Sequence, residues 1–432
     1  MKKVIALIFV FLMLTGCDML TFSVDSLLTA PSVADEQAAI HQALTESIGN
    51  SITLCYPRSG DYRSAFIVTD IDSDGSDEAL AFYTYSQSIA ANVMVSVLDK
   101  DDDGWHAVFE MEGRGVAIDK ILISDYGRSS DIVIGYETQG FDENNVSIYR
   151  FTRGIMASLF DGSYTILERL DMDGCGTPEI VIVKKNGTAV TASIIKTVNG
   201  LDYSMKDRVI SANASEITSS CFGLLYGDVN ALFVDIADKN NSVTTQVIYL
   251  GDDEIRSPTL ELPGLADMTA RQLGYSSADY DGDGVVEIPV VTPFLGYFQA
   301  GGSAEYMTSW LAYEADIGFF MTEASTYYNT AVGYVFKLPN RWLNLVTAVR
   351  DDASRVVSFV KYDTEFENIE DMPKLLSIAA ISPDNEQAYV NDGYTYLSGD
   401  GFVSFMTKNL ASEGEPLLLT LDEMKNNIYC LY

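Results

Sequence analysis

Short apolar runs, each long enough for one strand, recur along this chain in units of about fifty residues, and Asp, Gly, Asn and Ser separate them. The first unit, 64–113, reads SAFIVTD, DSDGSDEALAFYTY, NVMVSVLD, a DDDG turn and WHAVFEM. The second, about 116–164, holds DKILISDYGRSSDIVIGY and NVSIYRF. The third, about 165–213, holds TILERLDMDGCGTPEIVIV and VTASIIKTV, with Asn199-Gly200 as a turn. The fourth, about 217–263, carries NALFVDIADKNNSVTTQVIYL, and a longer fifth opens near 269 with LGYSSADYDGDGVVEIPVV. Matching positions Asp70, Asp125, Asp171 and Asp279 leave one interval for the fourth unit, giving a mean step of about 52 residues.

A four-stranded sheet cannot cover both of its own faces. Packing successive sheets around an axis buries those faces and leaves only short edges. The expected fold is therefore mainly β: a β-propeller-like array of about five four-stranded repeats over 64–329. Strands near 52–63 could add a partial blade, and an open β-solenoid or a pair of sandwiches is the architectural alternative.

Two repeats carry the same acidic loop between their first and second strands. Asp70, Asp72, Asp74 and Glu78 stand at positions 1, 3, 5 and 9 of one, and Asp279, Asp281, Asp283 and Glu287 at the same positions of the other. Both have Gly at position 6, where a sharp turn is needed. Carboxylates alternating along a curled loop can converge on one ion, and the carbonyl of position 7 (Ser76 or Val285) can add a backbone oxygen. An all-oxygen donor set favours a hard cation, so the expected cofactor is structural Ca2+. A third loop is degenerate: it keeps Asp171, Asp173 and Glu179 but has Cys175 at position 5, so weak binding or none is expected. The second repeat has lost the middle acids and the fourth has lost the motif. The competing reading of all these acids is solvated turn residues. Asp99 to Glu110 fits EF-hand spacing, yet strand-like runs flank it, so it reads as a β-turn.

D-x-D-x-D-G-x-x-[DE] within an all-β repeat of this length resembles the FG-GAP/VCBS repeats of integrin-α-like propellers, over about residues 60 to 325. The resemblance implies side-chain ligands at positions 1, 3, 5 and 9, a carbonyl at 7, and calcium that braces blades while partners bind an end face. Glu at position 9 departs from the commoner Asp, two blades lack ligands, and the FG and GAP sequences are not evident.

Met1, Lys2 and Lys3 precede the apolar run Val4 to Leu14. That run is shorter than the roughly 20 residues needed to span a bilayer and reads as a secretory signal. Leu14-Thr15-Gly16-Cys17 resembles the lipobox of bacterial lipoproteins. The resemblance implies cleavage before Cys17 and diacylglyceryl anchoring to the membrane, facing the extracytoplasmic side. Residues 1–16 are then a signal peptide, 17–33 a lipidated tether, and 34–63 an N-terminal helix (DEQAAIHQALTESI, 35–48) with a lead-in. From about 330 the repeat stops, and 330–432 reads as a small α+β C-terminal domain. Its strand candidates are VVSFVKY and LLSIAAI, and Thr420 with Glu423 forms a capping box that opens a short helix. Its opening, Gly333 to Trp342, is similar to small PsbP/Mog1-like α/β domains.

The formal charge is −35, with 62 acidic against 27 basic residues, which disfavours nucleic acid and anionic lipid as partners. A hydrophobic fraction of 47% still marks a folded chain. Cys55, Cys175, Cys221 and Cys430 fit no zinc spacing and are expected to be mostly free and buried. His41 and His106, the only histidines, leave little for His-based catalysis. These features point to a calcium-stabilised binding or adhesion module for a protein or glycan. The alternatives are a structural envelope role and a propeller-type glycan hydrolase or lyase. Replacing Cys17 by Ala is predicted to release or mislocalise the protein on cell fractionation; normal membrane retention would remove the anchor.

Overall fold

The computed structural model describes residues 32–86, 92–140, 143–198, 202–262, 264–297, 304–329, 331–351 and 353–430. The expected signal segment and Cys17 lie outside them. The chain divides into two compact units, Met1–Ser163 with Asn199–Leu201, and Tyr164–Val198 with Asp202–Tyr432. Among the described residues there are six antiparallel sheets of four or five strands, a mainly β, propeller-like series.

In the first unit the helix Ser32–Ile48 starts three residues earlier than its sequence pattern suggests. It ends at Gly49, whose N–H reaches Thr45 O at 2.9 Å and whose φ of 92° lies in the left-handed region glycine tolerates. Ile40 and Leu44, four residues apart, are fully buried on one stripe. The strand Glu78–Tyr85 shows why the first sheet needs covers on both faces. Ala79, Ala81 and Tyr83 pack under the helix, and Leu80 and Phe82 pack against Ile121, Ile132 and Ile134 of the second sheet. Ile52–Leu54 pairs with the far half of Glu78–Tyr85, and Phe66–Thr69 pairs with its near half. The segment near 52–63 therefore extends an edge of the first sheet and adds no blade. The second sheet runs in chain order through Ala117–Asp125, Ser130–Glu137, Asn144–Thr152 and Ile155–Tyr164.

In the second unit the third sheet is Ile166–Leu170, Glu179–Asn186, Ala189–Val198 and Asp202–Ser211. The fourth runs Glu216–Leu225, Val229–Ala237, Ser242–Gly251 and Glu254–Arg256, with Arg271–Gln272 beside the third of these. Val181, Val183 and Ile194 of the third sheet bury against Leu232, Val234 and Ile248 of the fourth. The fourth sheet's other face, with Phe233 and Val247, buries against Ile288, Leu311 and Tyr313 of the fifth. Period-2 alternation thus serves two interfaces from one sheet.

The fifth sheet differs from its sequence reading. Ile288–Pro293, Tyr306–Glu314 and Phe319–Asn329 are followed by Tyr334–Lys337, and the last strand is Ile428–Cys430. The sequence boundary near 330 therefore falls inside a sheet: Val335 pairs with Tyr328 on one side and Tyr429 on the other. The remainder of the C-terminal segment makes a sixth sheet, Val346–Asp351, Val356–Lys361, Lys374–Ile381, Ser404–Asn409 and Thr395–Gly399, with short helices. Phe336, Trp342, Phe359 and Phe405 fill the core it shares with the fifth sheet. Trp342 is 1% exposed and donates its Nε1–H to Leu417 O at 2.7 Å, so it is a core residue. The capping box forms as expected, Thr420 and Glu423 each bonding the other's backbone, and the helix is Leu421–Asn426.

The fourth sheet and the loop before the fifth approach closely at Gly223. A Cβ there would lie 2.5 Å from Val286 Cγ2 and 3.2 Å from Gly284 O. Gly223→Val is predicted to cost roughly 1–3 kcal/mol by overpacking. An unchanged denaturation midpoint would show that the loop moves freely away.

Candidate metal centres

The three acidic loops are wired alike. The carboxylate at position 1 turns inward and accepts the N–H of the glycine at position 6. Asp70 Oδ2 takes Gly75 N at 3.0 Å, Asp171 Oδ2 takes Gly176 N at 2.9 Å, and Asp279 Oδ2 takes Gly284 N at 2.9 Å. Those glycines have φ of 95°, 84° and 93°, which a side chain would strain. The glutamate at position 9 reaches back to the N–H of position 2. Glu78 Oε2 meets Ile71 N at 2.8 Å, Glu179 Oε2 meets Met172 N at 2.8 Å, and Glu287 Oε2 meets Tyr280 N at 3.2 Å.

This wiring uses one oxygen of each glutamate. Glu179 Oε1 and Glu287 Oε1 are buried without a hydrogen-bond partner, and so is one Oδ1 each on Asp72, Asp171 and Asp281. Buried carboxylate oxygens without a donor are costly, and a cation at the loop centre would satisfy them. The side-chain oxygens of Asp70, Asp72 and Glu78 lie within 4.8 Å of one another, as do those of Asp279, Asp281 and Asp283. Two sequence-predicted carboxylate ligands stand outside these triads. Asp74 Oδ1 accepts Ser76 N–H at 2.8 Å, and Glu287 is fully buried beneath its loop. The donor set fits a hard divalent ion in both loops.

Electrostatics agree with that fit. Burial, with Asp72, Asp74 and Asp70 nearby, pushes the Glu78 carboxyl up to about 7. Burial, with Asp281, Asp283 and Glu323 nearby, pushes Glu287 up to about 8. Burial and Asp74 raise Asp72 as well, and Asp99 adds to this. Asp99 and Glu323 are carboxylates that loop spacing alone does not reveal, because they come from other strands of the same sheets.

The remaining loops have cations from the protein itself. In the third, Asp171, Asp173 and the Cys175 thiol cluster, and the Lys196 ammonium bonds Asp173 Oδ2. Burial alone would raise Asp173, but Lys196 and Cys175 bring it down to about 2. In the second, Asp131 receives Arg150 Nε at 2.8 Å, both side chains being nearly buried. In the fourth sheet the loop is reduced to a short turn, and deeper in the strand Asp235 binds Arg271 at 2.7 Å with Thr245 and Ser277 donating. Sequence reading missed these cations. Hairpin centres could have supplied them: Asn186 pairs with Ala189 around a Gly187 turn, and counting outward sets Lys196 beside Glu179.

The EF-hand-like stretch is a hairpin in which Asp101 faces Gly104. Glu110 accepts the hydroxyls of Tyr83 and Tyr85, each at 2.7 Å. Cys55, Cys175, Cys221 and Cys430 are free, yet Cys175 is exposed and the other three are only partly buried, a departure from the expected burial. His41 packs edge-on against Phe66, and exposed His106 lies 3.7 Å from Asp101.

The acidic loops also touch the sheet after or before their own. Ile71 O accepts Ser130 N–H at 3.3 Å, Asp171 O accepts Asn230 Nδ2 at 2.6 Å, and Leu224 exchanges bonds with Gly284 O and Val286 N at 2.9 and 3.0 Å.

No protein family and no curated protein matches the chain by sequence. Among solved structures it is similar to a putative 6-phosphogluconolactonase from Bacteroides uniformis, with 11% identity, 69% of this chain and 81% of that chain covered, and a TM-score of 0.29. A putative 6-phosphogluconolactonase from Bacteroides fragilis gives 9% identity, 73% and 91% coverage and a TM-score of 0.26. The exotype rhamnogalacturonan lyase YesX gives 13% identity, 67% coverage of this chain, 62% of the lyase and a TM-score of 0.25. The chain thus spans less than two thirds of the lyase.

Proposed function

We propose that this chain is an exported, Cys17-anchored binding module of a bacterial cell envelope, with FG-GAP/VCBS-like loops that take up calcium as a structural ion. The observation that carries the metal reading is the set of buried, unpartnered oxygens on Asp72, Asp281 and Glu287 inside two loops wired the same way. Asp70, Asp72, Asp74 and Glu78 with the Ser76 carbonyl hold one ion. Asp279, Asp281, Asp283 and Glu287 with the Val285 carbonyl hold the other. Each ion-holding loop is hydrogen-bonded to a neighbouring sheet, so an ion that orders the loop also braces sheet against sheet. The partner is a protein or glycan met outside the cytoplasm, consistent with an acidic surface that disfavours nucleic acid.

Pull-down from intact cells tests the binding role; turnover of a glycan library without any captured partner would replace it with a hydrolase or lyase. Calcium is predicted to stabilise the fold by about 2.7 kcal/mol per site at one hundred times its dissociation constant. An identical melt in EDTA would count heavily against the ion. Asp72→Ala combined with Asp281→Ala is predicted to abolish the gain, and a full remaining shift would assign it to other ligands.

The raised carboxyls give a pH signature. Without the ion, Glu78 and Glu287 hold protons in the fold up to about 7 and 8, above the ordinary 4.5. The folded state then binds more protons than the unfolded chain across that window, so ion-free stability falls as pH rises through it. Calcium offsets the loss, so its melting-temperature gain is predicted to be larger at the alkaline end of the window than at the acid end. Equal gains at both ends would contradict the ligand role of these glutamates.

A further inference from the structure

We propose that Lys196 is a tethered cation that takes the ion's place in the third loop, closing that loop to metal in the native chain. The proposal deepens the calcium reading of the other two loops and rests on it for comparison.

Ile180 faces Ile195 across the hairpin, which sets Lys196 beside Glu179. Its ammonium bonds Asp173 Oδ2 and lies 3.6 Å from Glu179 Oε1, so it engages positions 3 and 9 of the loop together. Glu179 is 1% exposed, and its Oε1 has no hydrogen-bond partner. Lys196 is therefore the positive charge facing an oxygen that needs one.

The same cross-strand place differs from sheet to sheet in step with the loops. In the second sheet, whose loop has lost its middle acids, the place opposite Asp131 is Arg150. In the first sheet Ala79 faces Leu98, which sets Asp99 beside Glu78. In the fifth Ile288 faces Leu311, which sets Ala312 beside Glu287. A cation from the chain stands there in the second and third sheets, whose broken loops still keep an acid at that place. Neither intact loop has one at that position. A tethered ammonium is present at a fixed high local concentration, needs no ion from solution and keeps the neighbouring carboxylates from repelling one another. It also engages oxygens that a divalent ion would need.

The test is calcium titration calorimetry on the full mature chain carrying Asp72→Ala and Asp281→Ala, which disables the first and fifth loops. With Cys175→Asp added to restore position 5 and Lys196 kept, calcium uptake is expected to be absent or weaker by about ten-fold or more than when Lys196→Met is added too. With both changes, one ion per chain is expected. Equal affinity with and without the ammonium overturns the proposal. So does a lack of uptake in the variant with both changes, provided its melt shows a folded protein. Calcium uptake by the unaltered chain is measured separately: its absence sinks the calcium reading, while the outcome in the third loop still decides the role of Lys196.

Discussion

Every sheet in this protein has two apolar faces, and neither can be left in water. The strand Glu78–Tyr85 shows the demand in eight residues, with alternate side chains sent under a helix and against a second sheet. The helix Ser32–Ile48 covers one outer face, and successive sheets cover one another within each unit. Burial of this kind contributes on the order of 25 cal/mol per Å2 of apolar surface, and it is indifferent to direction. Register and spacing between sheets need something more directional.

The acidic loops supply that direction. Each sits where one sheet's first turn meets a neighbour, and each places charge at the seam. Charge at a seam must be neutralised, and the chain does so in two chemically distinct ways. In the second and third sheets a basic side chain from the same sheet reaches the acids. In the first and fifth, the acids converge with no such side chain among the described residues, and the Glu78 and Glu287 carboxyls are driven up toward neutrality. The buried Asp235–Arg271 pair in the fourth sheet is a third variant, placed deeper and fully hydrogen-bonded.

Much of this was legible in the residues. Apolar runs located the strands because a strand needs only a few consecutive residues, and the loop glycines marked the left-handed turns. The first triad and the second were visible as spacing, since all their members lie within one short segment. What spacing could not show was distant in sequence. Asp99 and Glu323 approach the loops from other strands, and Lys196 and Arg150 do so across hairpins. The boundary near 330 failed for the same reason. Tyr334–Lys337 looks like a fresh start when read forward, and only its pairing with Ile428–Cys430 shows that it belongs to the sheet before it.

That pairing has a consequence for how the chain matures. The whole sixth sheet, Val346 to Asn409, is strung between two adjacent strands of the fifth. A chain emerging from its N-terminal end can finish the first two sheets early, but Tyr334–Lys337 presents a bare edge until residues 428–430 arrive. Exposed edges recruit other strands. Until then that edge is available for mispairing with another strand, and the helix Leu421–Asn426, capped at Thr420, directly precedes the strand that closes it.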